Sequence, residues 1–335
     1  MQRLTCFILV SIGFWFSVSR VCAQDNVSGL GALTTSVDSK WALVIHGGAG
    51  GGARGSLTPE QEEDYLKKLN EALDKGAVVL SSGGTSLDAV TAVVSFMEDC
   101  PLFNAGKGAV LDAEGKAELD ASVMDGKTLR AGAVGGVRTV KNPVLAARAV
   151  MERSGHVLLA GPGADNFAKS QGLEIVTEDY FIVPDRLERW KKSRSARDPK
   201  NGTVGAVALD QSGNLAAATS TGGMMNKVVG RLGDTPVIGA GTYANNATCA
   251  VSCTGHGEFF IRNVVAYDLS AMMEYRGMPL EEAAGFIVNE KLMSQKAEGG
   301  LIAIDKTGNI VMPFNTNAMF RGCRTSDGRS EVAIY

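Results

Sequence analysis

Apolar runs and helical periodicities alternate along the chain and predict a protein with both strands and helices. Residues 41–46 form a continuous apolar run, Trp-Ala-Leu-Val-Ile-His, which ends at a glycine pair and is typical of a strand buried on both faces. Thr58 and Pro59 form a helix-start signal, because Thr can cap free backbone amides and Pro suits the first helical position; this helix is expected to run towards Ser81. Apolar residues at helical spacing predict further helices over residues 86–98, 144–153, 164–171, 258–275 and 280–295.

Three segments share a second pattern, in which an apolar stretch reaches an aspartate, turns through a glycine and becomes apolar again. They are residues 110–115, 207–215 and 302–310. Glycine accepts the positive φ that tight hairpin turns need, so each segment predicts an antiparallel hairpin. Hairpins placed between pairs of helices favour a layered α+β fold over a doubly wound parallel sheet.

The N-terminal segment has the pattern of a secretory signal. Arg3 precedes an apolar run over residues 4–18, and Val-Cys-Ala at residues 21–23 resembles a signal-peptidase site. This run is short for a membrane span. We therefore expect residues 1–23 to be a removed signal peptide, with an uncleaved anchor or a misassigned start codon as alternatives. The expected destination is the periplasm or the exterior, or the lysosome in a eukaryote, with no membrane association after removal.

Composition narrows the function classes further. The chain has 335 residues with 33 Lys and Arg against 36 Asp and Glu, so it lacks the basic surplus of a nucleic-acid-binding protein. Glycine, at 41 residues, is in excess and has no three-residue period, which indicates tight turns or close backbone approaches. Four cysteines follow the leader, too few for a disulfide framework, and we expect buried thiols at Cys100, Cys249, Cys253 and Cys323.

Two familiar kinds of site are poorly supported. Residues 48–53 have the glycine spacing of a dinucleotide fingerprint, but the acidic residue required about 20 positions later is missing. We expect a tight turn that lines some other site. The chain has only three histidines, at positions 46, 156 and 256, and no nucleophile-elbow sequence around a serine, which argues against a histidine-dependent hydrolase.

Thr203 is the strongest candidate for chemistry. Residues 183–202 are rich in Arg, Lys, Ser, Pro and Asn and are predicted to form an exposed, mobile linker, and Thr203 then begins an apolar strand. If the chain is cut before Thr203, this residue supplies a hydroxyl nucleophile and a free α-amine with a pKa of ~7.7–8.0, which can serve as general base. A Gly-Thr pair before a strand is also common without any function, so spacing alone leaves both interpretations open.

Seven stretches, in one order, resemble the plant-type L-asparaginase/isoaspartyl peptidase family of N-terminal-nucleophile hydrolases over nearly all of residues 40–322. They are VIHGGAG (44–50), FNAG (103–106), LDASVMDG (119–126), GTVGAVAL (202–209), ATSTGG (218–223), VGRLGD (229–234) and TG (254–255). The resemblance implies an α+β fold, a four-layer αββα sandwich of one domain. It also implies an α subunit of residues 24–202 and a β subunit of residues 203–335, assembled as (αβ)2.

The family's roles carry over to matching positions around the nucleophile. The resemblance implies that the Gly202–Thr203 bond cleaves itself and that Thr203 is then the nucleophile. Thr221 would orient the nucleophilic centre. Asn104 would position the nucleophile and a water molecule.

Substrate binding is implied at five further positions. The Thr254 hydroxyl and the Gly255 amide would form the oxyanion hole. Arg231 and Asp234 would bind the α-carboxylate and the α-ammonium of the substrate, in keeping with the bidentate geometry of a guanidinium and the acceptor character of a carboxylate. Gly257 would add backbone to the ammonium site.

The implied activity is hydrolysis of the β-amide of L-asparagine and of β-aspartyl dipeptides, which releases L-aspartate and needs no cofactor for the chemistry. The family also carries a structural sodium ion on backbone carbonyls, which maps to Met97, Glu98, Cys100, Phe103, Ala105 and Lys107. One alternative is glycosylasparaginase, although its nucleophile motif typically begins with Asp-Thr and residues 202–203 are Gly-Thr. The other alternative is a non-catalytic secreted binding protein of the same fold.

Overall fold

Two β-sheets with helices outside them form the protein. The computed structural model describes residues 41–50, 52–193 and 202–335. The strands are β1 (Ala42–Ala49), β2 (Leu119–Asp125), β3 (Ala131–Val137), β4 (Leu158–Ala160), β5 (Val204–Leu209), β6 (Leu215–Thr221), β7 (Thr242–Ala244), β8 (Cys249–Gly255), β9 (Gly299–Asp305), β10 (Ile310–Val311), β11 (Met319–Thr325) and β12 (Ser330–Ala333). The helices are α1 (Pro59–Ser81), α2 (Ser86–Asp99), α3 (Pro143–Arg153), α4 (Gly161–Ser170), α5 (Pro184–Ser193), α6 (Gly257–Asn263), α7 (Val265–Arg276) and α8 (Leu280–Phe286).

The larger sheet has the strand order β12-β11-β1-β5-β6-β2-β3-β4, and the smaller has β10-β9-β8-β7. All neighbouring strands are antiparallel except β3 and β4. Helices α1 to α4 cover the outer face of the larger sheet, and α7 and α8 cover the smaller one. The predicted four-layer αββα sandwich is confirmed.

Alternation along the central strands separates two cores. On β1, Leu43 and Ile45 pack against the helices, whereas Ala42 and Val44 face the second sheet. The strand is therefore buried on both faces, as the apolar run predicts. His46 has the same parity as Val44, so it also points between the sheets.

The start of α1 follows the predicted signal. The Thr58 side chain accepts the backbone amide of Gln61, and the Gln61 side chain in turn accepts the amide of Thr58, a complete capping box with Pro59 at the first helical position. Two predicted helices are less regular than expected. The helix over 258–275 is interrupted at Val264, which has a φ of 49°, and the helix over 280–295 passes into a π-helical turn at Ile287–Leu292.

Two of the three predicted hairpins form, as β5–β6 and as β9–β10. The third, at residues 110–115, is wrong. Asp112 does close a turn there, because its Oδ1 accepts the amides of Glu114 and Lys116, but residues 110–118 contain no strand, and β2 begins only at Leu119. A capped turn can therefore repeat without the strand pairing around it.

Within the linker predicted over 183–202, Pro184–Ser193 forms helix α5, so this part is not the irregular segment that its composition predicts. Trp190 donates its indole N–H to the Asp112 carbonyl at 2.7 Å, and Arg186 donates to the Leu102 carbonyl at 2.8 Å. These two contacts attach a mostly polar helix to the body. Residues 194–201 lie outside the described residues.

Cys100, Cys249, Cys253 and Cys323 are free and buried, as expected. The predicted signal peptide also lies outside the described residues. Among the helices that the structure describes, none has the length and apolar character to cross a membrane.

Candidate active site

Thr203 lies at the end of the central strand pair β5–β6 of the larger sheet. It immediately precedes Val204, which pairs with Ser220. Its side chain is buried, and its Oγ1 lies 3.2 Å from the Oγ1 of Thr221 at the end of β6. Thr221 Oγ1 accepts the Gly223 amide at 2.9 Å and donates to the Gly202 carbonyl at 3.2 Å. The two threonine hydroxyls and the Gly202–Thr203 peptide bond thus form one compact group.

Asn104 reaches this group from the loop after α2. Its Nδ2 donates to the Gly202 carbonyl at 2.6 Å and to the Gly223 carbonyl at 2.8 Å, while its Oδ1 accepts the Val110 amide at 2.8 Å. All three polar positions of the amide are therefore used. The Gly202 carbonyl oxygen receives donors from both Asn104 and Thr221, which is the arrangement that stabilises an oxyanion at that atom.

A bulge in β1, at the glycine pair after His46, lies against the same bond. The pairing of β1 with β11 shifts between His46 and Gly48, and Gly48 has a φ of 112°. A Cβ atom on Gly48 would lie 2.7 Å from the Gly202 Cα and 3.0 Å from the Thr203 nitrogen. The tight turn predicted for this stretch is wrong at residues 47–49, which continue strand β1 through a bulge. The bulge contacts the Gly202–Thr203 bond.

Thr254 and Gly255 end β8 beside this bulge. Thr254 is buried, and its Oγ1 accepts the Ala49 amide at 3.1 Å, one residue after Gly48. A Cβ on Gly255 would lie 2.5 Å from the Glu298 carbonyl oxygen, so only glycine fits at this position. Both residues therefore lie close to the bulge that contacts the Gly202–Thr203 bond.

Arg231, Asp234 and Gly257 come together on the other side of Gly223. Arg231 Nη1 lies 3.5 Å from the position of a Cβ on Gly223, and a Cβ on Gly257 would lie 2.8 Å from Asp234 Oδ1 and 3.0 Å from Arg231 Nη2. Sequence reasoning missed the residue that holds the guanidinium, Glu258. Its Oε1 lies 2.9 Å from both Nε and Nη2 of Arg231.

The Asp234 carboxyl group is buried and has one oxygen available to a cationic ligand. That oxygen, Oδ2, has no hydrogen-bond partner among the described residues. Burial raises the pKa of Asp234 to about 7, despite the opposing effect of the Arg231 charge. A buried, partly unsatisfied carboxylate beside a guanidinium is suited to a ligand that carries an ammonium and a carboxylate on neighbouring atoms.

A second set of buried charged groups interacts electrostatically with Arg231. Burial lowers the pKa of Lys227, whose ammonium donates to the Glu118 carbonyl at 2.8 Å. Burial raises the pKa of Asp120, which accepts the Gly136 amide at 2.8 Å. Neither residue was singled out from the sequence, because nothing in the spacing of residues 118–120 and 227 shows that they meet.

The loop predicted to bind sodium connects α2 to a 3-10 turn at Gly106–Gly108 and carries Asn104 in its middle. The carbonyl oxygens of Glu98 and Phe103 lie where side chains at Gly106 and Gly108 would stand. Glycine at both positions lets the carbonyls close on the turn. A set of backbone oxygens is the donor type that hard cations prefer.

Comparison with known proteins finds relatives that match most of the chain. The sequence profile of the Asparaginase_2 family, described as asparaginase, matches residues 39–334. An isoaspartyl peptidase of Salmonella typhimurium is 51% identical over 310 residues, which cover 89% of this chain and 99% of the relative. The isoaspartyl peptidase of Escherichia coli is 49% identical, over 88% and 96% of the two chains. A probable isoaspartyl peptidase/L-asparaginase 2 of Arabidopsis thaliana is 43% identical, over 88% and 99%.

Proposed function

Because the chain belongs to the Asparaginase_2 family, we propose that it is an isoaspartyl peptidase and L-asparaginase that releases L-aspartate from β-aspartyl dipeptides and from L-asparagine. Relatives that carry these names match most of the chain. The observation that carries the proposal is the group at Thr203, whose hydroxyl adjoins Thr221 while the Gly202 carbonyl receives Asn104 at 2.6 Å.

Activation begins with attack of Thr203 Oγ1 on the carbonyl carbon of Gly202. The negative charge that develops on the Gly202 oxygen is stabilised by the donors on Asn104 and Thr221. As the C–N bond breaks, the hydroxyl proton passes to the Thr203 nitrogen, and an ester joins Gly202 to Thr203. Water hydrolyses this ester, which leaves a carboxylate on Gly202, a free hydroxyl and a free α-amine on Thr203.

The same hydroxyl then attacks the substrate. The α-amine accepts the Thr203 hydroxyl proton while Oγ1 adds to the β-carbonyl carbon, and it returns the proton to the departing ammonia or amino group. The Thr254 hydroxyl and the Gly255 amide stabilise the oxyanion. Water then cleaves the β-aspartyl ester on Thr203 and releases L-aspartate.

Arg231 and Asp234 select the aspartyl part of the substrate. The guanidinium pairs with the α-carboxylate, and the buried Asp234 carboxylate accepts the α-ammonium, with the Gly257 backbone beside both. Glu258 keeps the Arg231 side chain in place from its Nε edge. Neither contact involves the leaving group, so a free amide and a peptide amide can both be accommodated.

Three further properties belong to the proposal. The carbonyls of Met97, Glu98, Cys100, Phe103, Ala105 and Lys107 would hold a sodium ion, which fits an oxygen-only loop closed on two glycines and would stabilise the loop that carries Asn104. The two chains would assemble as (αβ)2. The N-terminal segment would act as a secretory signal, and the N-terminal sequence of the secreted α chain would test this.

Purified wild-type protein and the Thr203→Ala variant provide the test. We expect two chains on a denaturing gel for the wild type, with a β-chain mass that begins at Thr203, and one intact chain for Thr203→Ala. The wild type should release leucine from β-aspartyl-leucine and ammonia from L-asparagine. A wild-type protein that stays intact and releases neither product would refute the proposal, and turnover of N-acetylglucosaminyl-asparagine alone would favour glycosylasparaginase.

A further inference from the structure

His46 contacts the nucleophile residue from the space between the two sheets. Its side chain is fully buried on β1, its Nδ1 lies 2.9 Å from the Thr203 carbonyl oxygen, and its Nε2 lies 2.9 Å from Ser252 Oγ on β8. The imidazole therefore links the first residue of the proposed β chain to the second sheet. The proposed reaction gives it no role as an acid or a base.

The partners of His46 fix which of its nitrogens carries the proton. A carbonyl oxygen can only accept, so Nδ1 must be the protonated nitrogen that donates to Thr203. Burial lowers the pKa of His46 to about 3, so the ring is neutral and Nε2 has a free lone pair. Ser252 must then donate its hydroxyl proton to Nε2.

Two more hydroxyl groups, those of Thr219 and Thr242, continue this line of hydrogen bonds. Since the Ser252 proton is committed to His46, Thr219 must donate to Ser252, at 2.7 Å. Thr242 then donates to Thr219, at 2.5 Å. Thr242, Thr219, Ser252 and His46 form a one-way chain of hydrogen bonds that crosses between the sheets and ends on the Thr203 carbonyl, and all four side chains are buried.

Gly205 leaves room for the last link of this chain. A Cβ on Gly205 would collide with both Ser252 Oγ and His46 Nε2. Only glycine therefore fits at position 205, two residues after Thr203. The space that a Gly205 side chain would fill is occupied by the Ser252–His46 hydrogen bond.

We infer that His46 is a positioning residue for Thr203, held as the Nδ1–H tautomer by the Thr203 carbonyl and anchored to the second sheet by Ser252. Thr203 precedes the first ladder pair of β5 and loses its covalent tie to Gly202 when the chain is cut. The bond from His46 to its carbonyl then restrains the backbone that carries the hydroxyl and the amine. The inference rests on the proposed function only in taking Thr203 as the nucleophile.

The tautomer is tested first, because it does not depend on activity. The chain has only three histidines, so the ring nitrogens can be resolved by NMR in protein labelled with 15N-histidine. We expect one ring whose signals do not change with pH, with a protonated Nδ1 and an unprotonated Nε2. The signal should disappear in His46→Gln. A buried ring protonated at Nε2 would overturn the inference whether or not the protein hydrolyses isoaspartyl peptides.

The positioning role is tested with a matched pair of hydroxyl deletions. Ser252→Ala removes the hydroxyl that anchors Nε2 of His46 to the second sheet, whereas Thr242→Val removes a hydroxyl of similar burial but leaves the Ser252–His46 bond intact. For Ser252→Ala we expect slower self-cleavage and a kcat for β-aspartyl-leucine lower by about 10-fold to 100-fold, with KM within about twofold, because misplacement of a reacting group acts on kcat. Thr242→Val should keep kcat within about threefold.

Equal losses of kcat in the two variants would show that the hydroxyls merely stabilise the core, and this would overturn the inference. An unchanged kcat in Ser252→Ala would do so as well. If the wild type cleaves neither itself nor the dipeptide, the proposed function fails, and the tautomer measurement still decides the hydrogen-bond chain.

Discussion

The side-chain amide of Asn104 donates to the carbonyl oxygen of Gly202 at 2.6 Å, although the two residues are 98 positions apart in the sequence. Thr221 adds a second donor to the same oxygen at 3.2 Å. These two contacts fit the proposed self-cleavage at the Gly202–Thr203 bond. They also suggest how that reaction can be slowed selectively.

Asn104→Asp should slow self-cleavage by about 100-fold to 1,000-fold, because it replaces a donor on the developing oxyanion with an anionic acceptor. Asn104→Leu, of similar volume, removes the donor without adding charge and should have a smaller effect. The measurement is the fraction of intact chain over time on denaturing gels. Cleavage of Asn104→Asp at the wild-type rate would show that the Gly202 oxygen does not depend on this donor.

Gly48→Ala should block self-cleavage, because its Cβ would press on the Gly202 Cα and the Thr203 nitrogen. Gly55→Ala is a matched control. Gly55 also has a positive φ, of 88°, but no atom lies within 4 Å of its Cβ position. We expect Gly55→Ala to mature normally, and mass spectrometry of both variants would distinguish contact with the scissile bond from general backbone strain.

Gly202→Val should also prevent maturation while the fold survives. A Cβ at this position would lie 3.3 Å from the Asn104 Cβ, and a valine would crowd the donor away from the carbonyl. Circular dichroism should match that of the Thr203→Ala precursor. Normal cleavage of Gly202→Val would count against this account of the bond.

The pH dependence of kcat/KM should report Asp234. Burial raises its pKa to about 7, and only the ionised form can accept the substrate ammonium, so kcat/KM should fall as pH drops below about 7. Asp234→Asn should lower kcat/KM strongly and remove this limb, leaving only the titration of the Thr203 amine. An acid limb that survives unchanged in Asp234→Asn would assign it to another group.

His46 should make the folded protein sensitive to acid. Its pKa is lowered to about 3 from 6.5 by burial, so the unfolded chain binds the proton first, and stability is lost as pH falls from 6.5 towards 3. The expected slope is ~1.4 kcal/mol per pH unit within that window. Urea unfolding of the Thr203→Ala precursor, with and without His46→Gln, measures this slope, and the exposed His156→Gln change serves as control.

Local patterns in the sequence were sufficient for much of the fold. The apolar run of β1, the Thr58 cap and the hairpins at Asp210 and Asp305 are each specified by residues close together in the chain. Helix α5 was missed because its residues are mostly polar, and its place depends on the distant Trp190–Asp112 contact. The break at Val264 was missed because helical spacing continues across a single left-handed residue.

The site divides in the same way. The proposed catalytic and binding positions lie in short motifs whose order marks the family, so they could be proposed from the sequence alone. The partners of those residues could not, because the contacts of Glu258 with Arg231 and of His46 with Thr203 join segments that only the folded sheets bring together. Burial, which sets the pKa of Asp234, is likewise a property of the packed sandwich.

The strand order of the larger sheet has a consequence for refolding after the chain is cut. The α chain would keep β1 to β4 and the β chain β5 to β12, yet β1 lies between β11 and β5 in the larger sheet. Each fragment therefore holds strands whose neighbours belong to the other. In the uncut chain, covalent connection keeps the two sets of strands together while the sheet forms. A denatured mature enzyme should therefore refold with second-order kinetics and poor yield, because two separate chains must meet. The uncut precursor should refold at a rate independent of concentration.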